Sequence, residues 1–191
     1  MLAQRIGALG MPIMYGLAVD DGHDYHHIPN RKSNPGRGWV EVLASELTPE
    51  SLIESLEAGK FYASSGVSLQ QITTDAKGMK VDVDPQPGET YTIEFIGTRN
   101  TTDLTGQPIK NEKGEHLHVT HTYSKGIGEV LKKVEGTSAE YTFTGDEYYV
   151  RAVITSSALH PNPSEIDDHQ QAWVQPILGP GAPEEDHHAH E

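Results

Sequence analysis

The sequence predicts a mainly β chain of the α+β class: an antiparallel β-sandwich preceded by a short α/β segment. Three observations carry this. From about residue 67 apolar residues recur with period two, as in Met79, Val81 and Val83 or Tyr91, Ile93 and Phe95. Turn signals separate those runs, among them Asp84-Pro85-Gln86-Pro87-Gly88, Asn111-Glu112-Lys113-Gly114 and Gly145-Asp146. Half-buried antiparallel strands at this spacing suggest packed sheets. The first 60 or so residues lack that period and instead show helix-like and continuous apolar runs.

Taken in order, residues 2–10 read as the end of a helix, with Leu2, Ile6 and Leu9 on one face and Gly10 placed to stop it. Residues 13–19 form an unbroken apolar run, the pattern of a strand buried on both faces. Residues 24–38 are rich in Pro, Gly and Asn and read as a polar loop. A short strand is expected at Trp39–Ala44. Thr48 fits a helix N-cap and Pro49 the first helical position. Leu52, Ile53 and Leu56 would form that helix's buried face, and Gly59 would close it. Phe61-Tyr62-Ala63 reads as another strand. Period-two runs continue around Leu117 and Val119, Tyr141 and Phe143, and Tyr148 to Ile154. A last strand spans Gln171–Leu178, and residues 179–191, acidic and His-rich, read as disordered. The organisation expected is thus an α/β segment over 1–60, a β-sandwich over 61–178 and a tail over 179–191.

The 191-residue chain carries 14 Lys and Arg against 28 Asp and Glu, a net charge of −14. That balance argues against nucleic-acid binding, which depends on neutralising phosphates, and against docking on anionic membranes. No apolar run approaches the ~18 residues of a membrane span. With no cysteine, disulfides, zinc-thiolate sites and thiol nucleophiles are excluded. No phosphate-cradling glycine loop and no nucleophile-elbow serine are present. The compartment is not legible.

The residues with chemical potential cluster where the apolar run ends. Asp21-Gly22-His23 puts a carboxylate and an imidazole two residues apart, a pairing that can turn toward one cation. His26 and His27 follow in the adjacent loop, where they can contact substrate or a second metal; a solvated loop is the plainer reading. Arg37, between Gly36 and Gly38, is placed either to offer a guanidinium to an anionic substrate or to pack and pair structurally within a turn, since flanking glycines fit both. His116 and His118 share a strand face with His121 nearby, and His187, His188 and His190 lie in the tail; a hydrated sheet face and a solvated tail are the plainer readings of both groups.

Several short motifs occur in an order that resembles a known family. They are Gly16-Leu17-Ala18-Val19-Asp20-Asp21-Gly22-His23-Asp24-Tyr25, then Gly36-Arg37-Gly38-Trp39-Val40-Glu41-Val42, then Leu47-Thr48-Pro49-Glu50, then Phe61-Tyr62-Ala63-Ser64-Ser65-Gly66, and finally Ala172-Trp173-Val174-Gln175-Pro176-Ile177. Together they resemble the end of a PHP (polymerase and histidinol phosphatase) metal-dependent hydrolase, in the branch whose barrel is followed by a carboxy-terminal β domain. The resemblance covers roughly residues 1–178. It implies a (β/α)7 barrel remnant over 1–60, phosphoester or related hydrolysis, and a divalent metal (Zn, Mn or Fe), with Asp21 and His23 as ligands. The other ligands of such a centre, beginning with an amino-terminal His-x-His, have no counterpart before residue 21.

The chain is therefore expected to be the carboxy-terminal part of such an enzyme, inactive by itself and holding metal only weakly. Its exposed barrel remnant is expected to drive homo-oligomerisation. A different class of function, a non-catalytic sandwich that binds a sugar, a peptide or a partner subunit, is equally compatible with the fold.

Overall fold

The computed structural model describes residues 1–30 and 32–183. Twelve strands and one α-helix are present among them: β1 (Trp39–Val42), α1 (Pro49–Glu57), β2 (Phe61–Ser64), β3 (Leu69–Asp75), β4 (Gly78–Val83), β5 (Tyr91–Arg99), β6 (Gln107–Lys110), β7 (His116–Thr122), β8 (Glu129–Glu135), β9 (Ser138–Thr142), β10 (Glu147–Leu159), β11 (His169–Val174) and β12 (Ile177–Leu178). The chain is mainly β, and every ladder is antiparallel.

A large sheet runs β1-β2-β11-β10-β5-β8, with β12 sharing the β11 edge of β10. The 13-residue β10 is long enough to hold β11 through Val153 to Leu159 and β12 through Tyr149 and Val150. A small sheet, β3-β4-β9, packs on one face of the large one. The period-two residues meet between them: Met79, Val81 and Tyr141 from the small sheet, and Ile93, Phe95, Val150, Ala152 and Ile154 from the large one. The Phe95 and Tyr141 rings lie 5.6 Å apart. A backbone pleat that turns alternate side chains inward makes this dry layer from the sequence pattern alone. The β6–β7 hairpin forms a separate two-stranded arm. Where β4 turns from β3, Gly78 has φ +153, and a Cβ there would collide with the Tyr141 carbonyl.

The amino-terminal 60 residues depart from expectation. Residues 11–26 contain no strand. Leu17 and Val19 are 62% and 77% exposed, not buried on both faces. A strand needs a neighbour with a free edge; the large sheet ends at β1 and β8, and residues 13–19 pair with neither. Instead the segment lies extended near Ala63, Arg151 and Trp173, bordering a cavity of about 420 Å³. Nor do β1 and β2 form parallel barrel strands: they pair antiparallel with each other, and β2 joins β11. The large sheet thus runs across residue 60, and the described residues show no parallel barrel strands.

The helix expected at 2–10 is present as a π-helical turn, Gln4–Ala8, closed by the Leu9 N–H donating to the Gln4 carbonyl. Its wider winding explains why Ala3 and Ile6 are buried against Tyr149 while Leu9 swings out to solvent. Helix α1 begins as expected, Thr48 Oγ1 accepting from the Ser51 N–H at 3.3 Å. Its apolar stripe is only partly covered, and Ile53 is exposed. Gly59, at φ +68, ends it under the Tyr15 ring, where any Cβ would clash. Residues 179–183, expected to be tail, turn back onto β10: the Gly179 and Gly181 N–H groups donate to the carbonyls of Tyr148 and Glu147. The remainder of the expected tail, with His187, His188 and His190, lies outside the described residues, as does the His118 side chain.

Candidate functional site

Two neighbouring features carry chemistry: the loop from Asp20 to Gly38, and a polar cleft between it and the loop after β10. The first is polar in sequence and tightly organised in space. Asp20 accepts the backbone N–H groups of Gly36, Arg37 and Gly38 at 2.6, 2.7 and 2.9 Å. Three successive amides converging on one carboxylate form an anion nest. Partial burial pushes the Asp20 carboxyl up, but those three amides and the Arg37 charge outweigh it and hold the group below its usual range. Asn34, fully buried, is the loop's hub. Its amide donates to the Asp24 carbonyl and Asn30 Oδ1, and its oxygen accepts from the Asn30 N–H. The Asn30 amide in turn donates to the carbonyls of His26 and His27.

This scaffold presents Asp21 and His23 to solvent, with side chains 85% and 73% exposed. Asp21 adopts φ +47, a left-handed conformation that Asp tolerates better than most residues. His23 Nδ1 lies 2.5 Å from the Asp21 carbonyl. Because a carbonyl only accepts, Nδ1 carries a proton, which in the neutral ring leaves the lone pair on Nε2. An imidazole oriented by a backbone carbonyl in this way is the usual state of a metal-binding histidine. The donor set thus fits part of a cation site, one carboxylate and one imidazole nitrogen. Among the described residues, no three His, Asp or Glu side chains converge on a point. His26 and His27 are exposed on the same loop, and Asp24 is turned away into an ion pair with Lys32 at 3.0 Å.

Arg37 has a different setting. Its guanidinium donates to four backbone carbonyls: Nε to Asn162, Nη1 to Lys32, and Nη2 to Asn30 and Pro163, at 2.6–3.1 Å. Four of its five N–H groups are committed, so it staples the 30–37 loop to the 160–163 loop.

The staple closes one side of the cleft, whose volume is about 430 Å³. Its floor is the outer face of the large sheet. His169, Gln171 and Trp173 alternate along β11, and Thr155 of β10 pairs with Gln171. The Gln171 amide donates to Thr155 Oγ1 at 2.9 Å. The wall is the loop after β10. His160 Nδ1 accepts the Asn162 N–H at 3.0 Å, and the Asn162 amide donates to the Pro35 carbonyl at 3.3 Å. Asn162 is buried, and its Oδ1 receives no hydrogen bond from any described residue. Asp168 Oδ2 gathers the Ser164 N–H and hydroxyl and the Glu165 N–H, and the Asp168 carboxyl is held below its usual range by these donors. Asp167, at φ +67, stands exposed beside it.

Sequence reasoning singled out Asp21, His23, His26, His27 and Arg37 and passed over Asp20, Asn34, His160 and Asn162. The missed residues act through side-chain-to-backbone bonds, many of them between segments far apart in the chain, which leave no spacing pattern. The Gly36-Arg37-Gly38 triplet was the one available signal, since a nest needs glycine at a left-handed position and Gly36 has φ +81. No family model, curated protein or solved structure matches the chain.

Proposed function

We propose that this chain is the carboxy-terminal part of a PHP-type metal-dependent hydrolase, inactive by itself, in which Asp21 and His23 supply part of a metal centre completed by residues that the chain lacks. The observation that carries this reading is the state of His23: exposed and oriented through Nδ1 by the Asp21 carbonyl, with the exposed Asp21 carboxylate 3.9 Å from the same Nδ1. When bound, a divalent cation in such a centre acidifies water and stabilises phosphoryl oxygens. The chain's own contribution is to hold the two ligands rigidly: Asp20 in its nest and Asn34 at the hub fix the loop from both ends. The exposed apolar residues leading into it, Met11, Met14, Leu17 and Val19, support a missing covering layer. In the isolated chain a second copy takes that place, giving a homo-oligomer.

Titration with Mn²⁺, followed by paramagnetic broadening of the His23 ring signals, tests the metal role. The His187, His188 and His190 positions are changed to Ala beforehand to silence the tail. Weak, saturable broadening that Asp21→Ala diminishes is expected, with phosphodiester hydrolysis at background. Broadening indifferent to Asp21→Ala overturns the reading.

A second reading, a non-catalytic binding module, is supported by the cleft beside Arg37, which is built entirely from this chain.

A further inference from the structure

We propose that the cleft floored by Gln171 and Trp173 binds a neutral sugar ring. This narrows the ligand of the binding-module reading and rests on it; it uses neither Asp21 nor His23. A volume of about 430 Å³ falls within the range of small-molecule sites. Its chemistry is mixed in a particular way. Trp173 offers an indole, half-buried, against which the C–H face of a pyranose can lie. Around it stand groups that both donate and accept: the Gln171 amide, the Thr155 hydroxyl, His160 and Asn162.

Two of these groups lack counterparts. Asn162 Oδ1 is a buried acceptor without a donor among the described residues, a condition that disfavours the closed site as it stands. His160 Nδ1 accepts from the Asn162 backbone, so its proton sits on Nε2 as a further donor on the cleft wall. A hydroxyl-rich ligand accepts from the second. Asp167, exposed at a left-handed φ, adds a carboxylate for a vicinal diol.

Charge decides against anionic small ligands. Among the described residues Arg37 is the only lysine or arginine lining the cleft, and its guanidinium is committed to carbonyls. With Asp167 and Asp168 at the rim, a phosphate or carboxylate ligand is repelled.

The test is an ¹H–¹⁵N NMR titration of the full chain with methyl α-glucopyranoside, methyl β-galactopyranoside, methyl α-mannopyranoside and N-acetylglucosamine, each to ~50 mM, which reveals affinities down to the millimolar range. At least one sugar is expected to give saturable shifts centred on the Trp173 indole N–H and residues 160–171. Trp173→Ala should weaken that binding by tenfold or more. His169→Ala, at an exposed position on the same floor, should weaken it severalfold and guards against misfolding of the first variant. Shifts that are absent for all four sugars, or that survive both substitutions, overturn the proposal. If glycyl-serine saturates the cleft and no sugar does, the sugar assignment fails while the binding-module reading stands. If nothing binds, both fail.

Discussion

The Gln175 side chain grips the backbone of Gly16 with both ends of its amide: Oε1 accepts the Gly16 N–H and Nε2 donates to the Gly16 carbonyl, each at 2.8 Å. These residues are 159 positions apart. A single buried side chain thus does for residues 13–19 what a neighbouring strand does elsewhere in the sheet. Tyr15, packed edge-on against Phe61 with ring centres 6.1 Å apart, is the adjacent anchor.

Gln175→Ala should therefore free this segment selectively. Two hydrogen bonds are lost, about 1–3 kcal/mol together. Hydrogen exchange at Gly16 should rise sharply while amides of β5 and β10 keep their protection. Equal loss of protection throughout would show that the clamp is not local.

Arg37→Ala should loosen two loops at once, because one guanidinium bonds carbonyls of Asn30, Lys32, Asn162 and Pro163. A loss of about 2–3 kcal/mol in urea denaturation is expected, since hydrogen bonds to a charged group are the stronger kind. Arg37→Lys should rescue little of it, as a compact ammonium cannot span the same four acceptors. Faster proteolysis in both the 28–36 and 160–168 segments is the accompanying sign; cleavage in one alone would contradict the staple.

Glu147 predicts the response to acid. It is fully buried, and burial alone would push its carboxyl up. Hydrogen bonds from the Tyr141 hydroxyl at 2.6 Å, the Thr144 N–H and hydroxyl, and the Gly145 N–H reverse this and bring it down to about 2. The same contact and burial push Tyr141 up to about 12. Because the folded value lies below the unfolded 4.5, this contribution is complete above about pH 4.5 and fades as pH falls toward 2. It amounts to about 2–3 kcal/mol at neutral pH. Glu147→Gln should lower stability at pH 7 and flatten its dependence between pH 5 and 2. An unchanged slope in urea titrations across that interval would refute the assignment.

Leu17 and Val19, at 62% and 77% exposure, should govern self-association. Replacing both with Asp adds like charges to a surface already acidic, so sedimentation should shift toward monomer without loss of β content. A wild-type chain that sediments as monomer at all concentrations would remove this surface from consideration.

The β layers were legible in the sequence because alternation has one geometric meaning. Met79, Val81, Ile93 and Phe95 point inward whatever else the chain does. Thr48-Pro49 likewise marked the start of α1 by purely local chemistry. The opposite held for residues 13–19. An apolar run says that burial is favoured but not against what, and here Leu17 and Val19 remain uncovered. Strands β3, β6 and β8 were not anticipated individually; they are largely exposed, so their side chains keep weaker alternation.

Local rules, then, determined which residues turn inward, where α1 begins, and that Asp21 and His23 sit together past an apolar run. Tertiary structure alone decided that the run is held by Gln175 instead of a strand, that Asp20 and not Asp21 fills the nest at 36–38, and that Arg37 joins two loops. The physical reason is range. Periodicity and capping operate within a few residues, whereas a buried amide or guanidinium finds its carbonyls only once distant segments have been brought together.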